Sequence, residues 1–124
     1  DKAAIKNVIG EDTIEGEDFY LLEVTFKQQG GGRDYEDRYV YWINKNSNRM
    51  EYFAYYFHVN DGGSRFRKMV NPRRIGGILF FDQINYTSEQ IDTNIENYST
   101  LLKDGKLEKV SDVLIENIEV KNFK

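Results

Sequence analysis

The chain has no cysteine, one proline, one histidine and one tryptophan among its 124 residues. Without cysteine there is no disulfide, no thiolate zinc site and no cysteine nucleophile. That absence fixes no compartment, because many secreted proteins also lack cysteine. No apolar run approaches the roughly 18 to 20 residues of a membrane-spanning helix. A basic excess is missing too: 17 Lys and Arg face 21 Asp and Glu, for a net charge of −4. Such a balance argues against a general nucleic-acid binder, whose footprint is a cationic surplus. The length excludes a (β/α)₈ barrel of about 250 residues. It supports a single domain over residues 1–124, or the C-terminal part of a larger one. The start at Asp1, with no initiator methionine and no signal-type stretch, is expected of a processed form or a fragment.

What the chain does have is rings: nine tyrosines and eight phenylalanines within a hydrophobic content of 40%. That is ample surface to bury, and it excludes a disordered chain. The apolar positions recur with period two, the signature of strands. From Asp18 to Gln28, Tyr20, Leu22, Val24 and Phe26 share one parity, and Glu23, Thr25 and Lys27 the other. From Tyr35 to Asn44, Tyr39, Tyr41 and Ile43 oppose Val40 and Trp42. Further strands are predicted over Met50–Asn60, Arg65–Val70, Ile78–Tyr86 and Val110–Val120, with a short one before Gly10. Asn44–Asn48, Asp61-Gly62-Gly63 and Gly76-Gly77 read as turns. Gly30-Gly31-Gly32 reads as a flexible link, and Pro72 as falling near a strand end, where a missing N–H is tolerated. Ile91, Ile95, Tyr98 and Leu102 recur at helical spacing, so one helix is predicted over Ile91–Lys103, with Gly105 as its stop. Short links force neighbouring strands into antiparallel pairs. The expected fold is therefore mainly β (α+β): a curved antiparallel meander sheet, or half-barrel, with one helix before the last strand.

Four groups of residues invite a chemical reading. His58 is the only histidine; a general base or metal ligand is conceivable there, but a hydrogen-bonded strand-end histidine is the plainer reading. With no second histidine and no cysteine, no metal site and no cofactor are expected. Asp82, set among Phe80, Phe81 and Ile84, is expected to be half-buried and ion-paired to a strand neighbour such as Arg65 or Arg67. The segment Arg65–Arg74 carries five cations and no acid. It suits an anion contact, yet cross-strand pairing with Asp34, Glu36, Asp37 and Glu51 explains it more simply. The aromatic band running from Tyr39 to Tyr86 is denser than a small core requires, and reads either as core plus a packed outer face or as the lining of an apolar cavity.

In order along the chain, Phe19–Phe26 with Gly30-Gly31-Gly32, Asp34-Tyr35-Glu36-Asp37, Tyr41-Trp42-Ile43-Asn44, the run Tyr52–Asn60, Gly62–Arg67, Asn71-Pro72-Arg73 and Gly76–Tyr86 resemble an uncharacterised family of Gram-negative cell-envelope lipoproteins. Members of that family are often mislabelled deoxyribose-phosphate aldolase. The resemblance implies the half-barrel of periplasmic lipoprotein carriers, with this chain as its C-terminal part. It also implies a cell-envelope location, in the periplasm or at the outer membrane, through a lipid anchor outside this fragment. It supplies no catalytic residue. The aldolase label itself conflicts with the sequence, because a Schiff-base lysine needs a desolvated site. Lys27, Lys45, Lys68 and Lys103 fall mostly in polar turns or surface-like positions.

The expected function is thus non-catalytic: a hydrophobic small molecule, lipid or acyl chain bound on the concave face of the sheet. Trp42, Tyr55, Phe57, Phe66, Phe80 and Phe81 are the expected lining, with Arg65 and Arg67 near an anionic head group. The alternative is a structural or protein-interaction module, a homo-oligomer among its forms, pairing through an exposed sheet edge. Catalysis ranks last, since it would require Asp82 or His58 in a cleft with a perturbed pKa.

Overall fold

A computed structural model describes residues 2–28, 38–57, 62–91 and 93–121. The described chain forms one curved, unclosed sheet of seven antiparallel strands in sequential order. The strands are β1 (Lys2–Ile14), β2 (Glu17–Gln28), β3 (Arg38–Asn44), β4 (Met50–Phe57), β5 (Gly63–Ile75), β6 (Ile78–Thr87) and β7 (Glu108–Val113). Between β6 and β7 lie a 3₁₀ turn, Ile95–Asn97, and the short helix α1, Tyr98–Lys103. The fold class therefore matches the expectation. His58, Asp34, Glu36, Asp37 and the Gly30–Gly32 link lie outside the described residues.

Local chemistry fixes the register. Two hairpins close with two-residue loops whose residues both take positive φ, as turns matched to strand twist require: Glu15 (51°) and Gly16 (78°) join β1 to β2, and Gly76 (60°) and Gly77 (82°) join β5 to β6. Between β3 and β4 the buried Asn44 side chain accepts hydrogen bonds from the backbone N–H groups of Asn46 (2.8 Å) and Ser47 (3.2 Å), an Asx turn.

The sheet has two unlike faces. On one, Phe19, Val40, Trp42, Ala54 and Phe66 are wholly buried, with Leu21 and Tyr52 nearly so. This face is covered by the segment between β6 and β7. Ile95 and Tyr98 lie against it at zero exposure, with Ile91, Leu102 and Leu107 around them. The Phe66 ring is the hub: it stacks on Tyr98 (5.4 Å between centroids) and Tyr52 (5.6 Å), and meets Trp42 edge-on at 5.3 Å. Polar tethers hold the cover down. Tyr98 and Ser64 share a 2.7 Å hydroxyl–hydroxyl hydrogen bond. Arg38 bridges Glu23 (2.7 Å) and Glu96 (2.8 Å), and Asp12 accepts from Lys103 (2.7 Å) and from the Trp42 indole (3.0 Å).

Several boundaries differ from the sequence reading. The first strand is a full thirteen residues rather than a short one ending before Gly10. Pro72 lies inside β5, not near its end: the register steps from Val70↔Asp82 to Arg73↔Phe80, so Asn71 and Pro72 form a bulge in which the missing N–H breaks no ladder bond. The helix is six residues instead of the thirteen of Ile91–Lys103, because the Ile91 carbonyl is turned toward the Ser64 hydroxyl and Asn94 supplies no side-chain cap. The last strand stops at Val113 rather than Val120. There the chain is drawn off the ladder when the Ile115 N–H bonds the Asp82 carboxylate (2.9 Å) and the Ile115 carbonyl accepts from Arg73.

Candidate ligand face

No element among the described residues covers the second face. Reading the register across it, β2 contributes Leu22, Val24 and Phe26, β3 Tyr39 and Tyr41, β4 Phe53, Tyr55 and Phe57, and β5 Arg65, Arg67 and Met69. Alternation along each strand and direct pairing between strands bring the rings side by side. Phe26 meets Tyr39 edge-on at 5.9 Å, Tyr39 stacks on Tyr55 at 6.1 Å, and Phe53 stacks on Tyr55 at 6.0 Å. Tyr41 contacts Phe53 at 6.1 Å, and Phe57 continues the row at 6.1 Å from Tyr55. These rings are half-buried, and among the described residues they pack beside one another. Burial, with Tyr39 as neighbour, pushes the Tyr41 hydroxyl above its ordinary pKa. On the covered face, deeper burial takes Tyr52 up to about 12.

Cations edge this aromatic field. The Arg65 guanidinium lies 5.6 Å from the Phe57 ring centre, and that of Arg67 lies 5.9 Å from Phe53 and 5.7 Å from Tyr55, all within cation–π range. Arg67 donates to Gln83 (2.8 Å) and to the Tyr55 hydroxyl (3.4 Å), while Arg65 donates to the Ser64 carbonyl (2.8 Å).

The eight residues expected to line one cavity therefore divide. Tyr55, Phe57, Arg65 and Arg67 come together on the open face. Trp42 and Phe66 belong to the covered face, where side chains of the covering segment already pack on them. Phe80 and Phe81 are adjacent on β6, so they point to opposite faces near the β5–β6 hairpin. The sequence reading missed Phe26, Tyr39, Tyr41 and Phe53 as a set with Tyr55; strand register alone shows that they are neighbours. A cavity of about 370 Å³ is lined by Gln90, Ile91, Asn97, Thr100 and Leu101, all in the covering segment, and shares no residue with the ring ladder.

Asp82 is buried and ion-paired, but its partner is Arg73 (3.1 Å) and not Arg65 or Arg67, which lie on the other face. The Ile115 backbone N–H, the Asn71 amide and Arg73 hold its carboxyl below the ordinary value, as befits an anchor for the chain after β7. Of the acids expected opposite Arg65–Arg74, Asp34, Glu36 and Asp37 lie outside the described residues; among the described ones Arg73 pairs with Asp82, Arg65 and Arg67 lie beside rings, and Arg74 donates to the Gly77 carbonyl. Glu51 has its carboxyl pushed up by burial and by Glu17.

An open antiparallel meander with one face sealed and the other lined with rings defines a half-barrel-like β domain. The chain belongs to a family of unknown function, DUF6503, whose model matches residues 1–117. No curated protein and no solved structure matches the chain.

Proposed function

We propose that this chain is a non-catalytic binding domain that takes an apolar ligand, a lipid or acyl chain, on the open aromatic face. The observation that carries this reading is the ladder from Phe26 through Tyr39 and Tyr55 to Phe57, half-buried and covered by no element among the described residues. Soluble monomers rarely leave contiguous apolar patches of more than a few hundred Å² bare unless the patch binds something. A ligand removing roughly 300 Å² of apolar surface from water gains about 7 kcal/mol before the costs of association. The opposite face offers no such room, being filled by Ile95 and Tyr98.

Native mass spectrometry of the chain after mild extraction tests the reading. A co-purifying hydrophobic species is expected, displaced by added long-chain fatty acid and weakened by Tyr39→Ser or Tyr55→Ser. A chain that binds no apolar molecule, with an intact fold, refutes it. The cell-envelope setting rests on the sequence resemblance alone, and cell fractionation tests it.

A second reading, pairing through a sheet edge, has its own observation. The outer side of β1 is unpaired among the described residues, and Ile5, Val8 and Ile9 there are 37%, 66% and 41% exposed. Sedimentation separates the two: a monomer at all concentrations that still binds fatty acid supports the ligand reading.

A further inference from the structure

Building on the ligand-face reading, we infer that the ligand carries a carboxylate head, held by Arg67 with Arg65 beside it. Both arginines lie on β5, two residues apart and on the same face, about 7 Å from one another along the strand. Neither has an Asp or Glu partner among the described residues, where Arg38, Lys45, Arg73, Lys103 and Lys109 all do. Of the described arginines, Arg38 and Arg73 are ion-paired, while Arg65 and Arg67 lie against rings and neutral side chains.

The donor inventory sharpens the point. A guanidinium has five N–H groups, and Arg67 commits only those to Gln83 and Tyr55; its Nε is buried with no hydrogen-bond partner. Directly across the ladder, Asn85 is more than nine-tenths buried, and its Oδ1 is likewise unpartnered. Arg67, set beside the Phe53 and Tyr55 rings and steadied by Gln83, presents a planar fork. A planar fork pairs with a two-oxygen acceptor, and a carboxylate is the simplest such head on an acyl tail. From Arg67 the rings of β4, β3 and β2 extend across three strand spacings of about 4.8 Å, an apolar path of about 14 Å for the tail. The ligand class is therefore a long-chain monocarboxylate, head at β5 and tail toward Phe26.

Isothermal titration of the chain with dodecanoate, its methyl ester and dodecyl phosphate tests this. The acid is expected to bind about tenfold more tightly than the ester, and added salt is expected to erase the difference. Arg67→Gln should lower acid affinity about tenfold and so erase the difference between acid and ester. The acid–ester comparison uses the unaltered chain, so it stands even if that variant folds poorly. Equal binding of acid and ester, or tightest binding of the phosphate, overturns the carboxylate head while leaving the apolar-ligand reading intact. Binding of none of the three overturns both.

Discussion

The hydroxyl pair between Ser64 and Tyr98 is the point where the covering segment is pinned to the sheet, and it lends itself to a double-mutant cycle. Both residues are buried, at 3% and 0% exposure, and their oxygens are 2.7 Å apart. Tyr98→Phe removes one oxygen and leaves the ring stacked on Phe66, so apolar packing is nearly conserved. What is lost is a buried hydrogen bond, and what remains is a serine hydroxyl with only the Ile91 carbonyl, at 3.4 Å, to satisfy it. A bond removed this way costs about 1–2 kcal/mol. Ser64→Ala strands the tyrosine hydroxyl instead and should cost a similar amount. The double variant strands neither group, so its cost should fall short of the sum by about 1 kcal/mol. Equilibrium unfolding in urea reads this directly: with a slope of about 1–3 kcal/mol per molar, each single variant moves the midpoint down by roughly 0.5–1 M. Costs that simply add, or a Tyr98→Phe variant as stable as the parent, would refute the pinning role of this pair.

Two further outcomes follow from backbone geometry and from charge. Gly76→Ala and Gly77→Ala both place a side chain at positive φ, costing about 1–2 kcal/mol each. Only at Gly76 does the new Cβ fall 2.7 Å from the Val120 Cβ, so hydrogen exchange over residues 114–121 should rise for that variant alone. Burial raises the Asp12 carboxyl, but bonds from Lys103, Ser99, Trp42 and the Thr13 backbone hold it below its ordinary value overall. The folded pKa lies under the unfolded one of about 3.9, so the stabilisation is complete above that pH and is lost as pH falls through the folded value. Urea midpoints measured from neutral to acid pH should fall less steeply below about pH 4 in Asp12→Asn. An unchanged acid slope would show that Asp12 is not so coupled.

Much of the sheet was legible because strands announce themselves by period two. Tyr39, Tyr41 and Ile43 opposing Val40 and Trp42 fall as the alternation says. The reading failed where a bulge interrupts the period. Between Val8 and Gly10 the register slips by one residue, so Lys6 and Glu11, five apart, share a face; no strict alternation survives to reveal that β1 is one long strand. The slip at Asn71 and Pro72 likewise brought Arg73, not Arg65 or Arg67, to Asp82. In β2 the more apolar parity runs from Tyr20 to Phe26, yet Phe19 and Leu21 of the other parity are the residues sealed under the covering segment. Composition cannot tell which of two apolar faces is covered, because that depends on where Ile95 and Tyr98 land.

The same fact explains why one sheet can be both a core and a binding surface. Phe66 on the covered face and Arg65 and Arg67 on the open face are consecutive on β5, so packing on one side fixes the backbone that aims the other. The rings of the ladder are held by cross-strand neighbours and need little further ordering when a ligand arrives. Ordering a free side chain on binding costs about 0.5–1.5 kcal/mol, so a pre-set row of rings retains more of its apolar gain as affinity. On this view a change that loosens the cover, such as Tyr98→Phe, weakens ligand binding on the far side without touching a single ligand-facing residue.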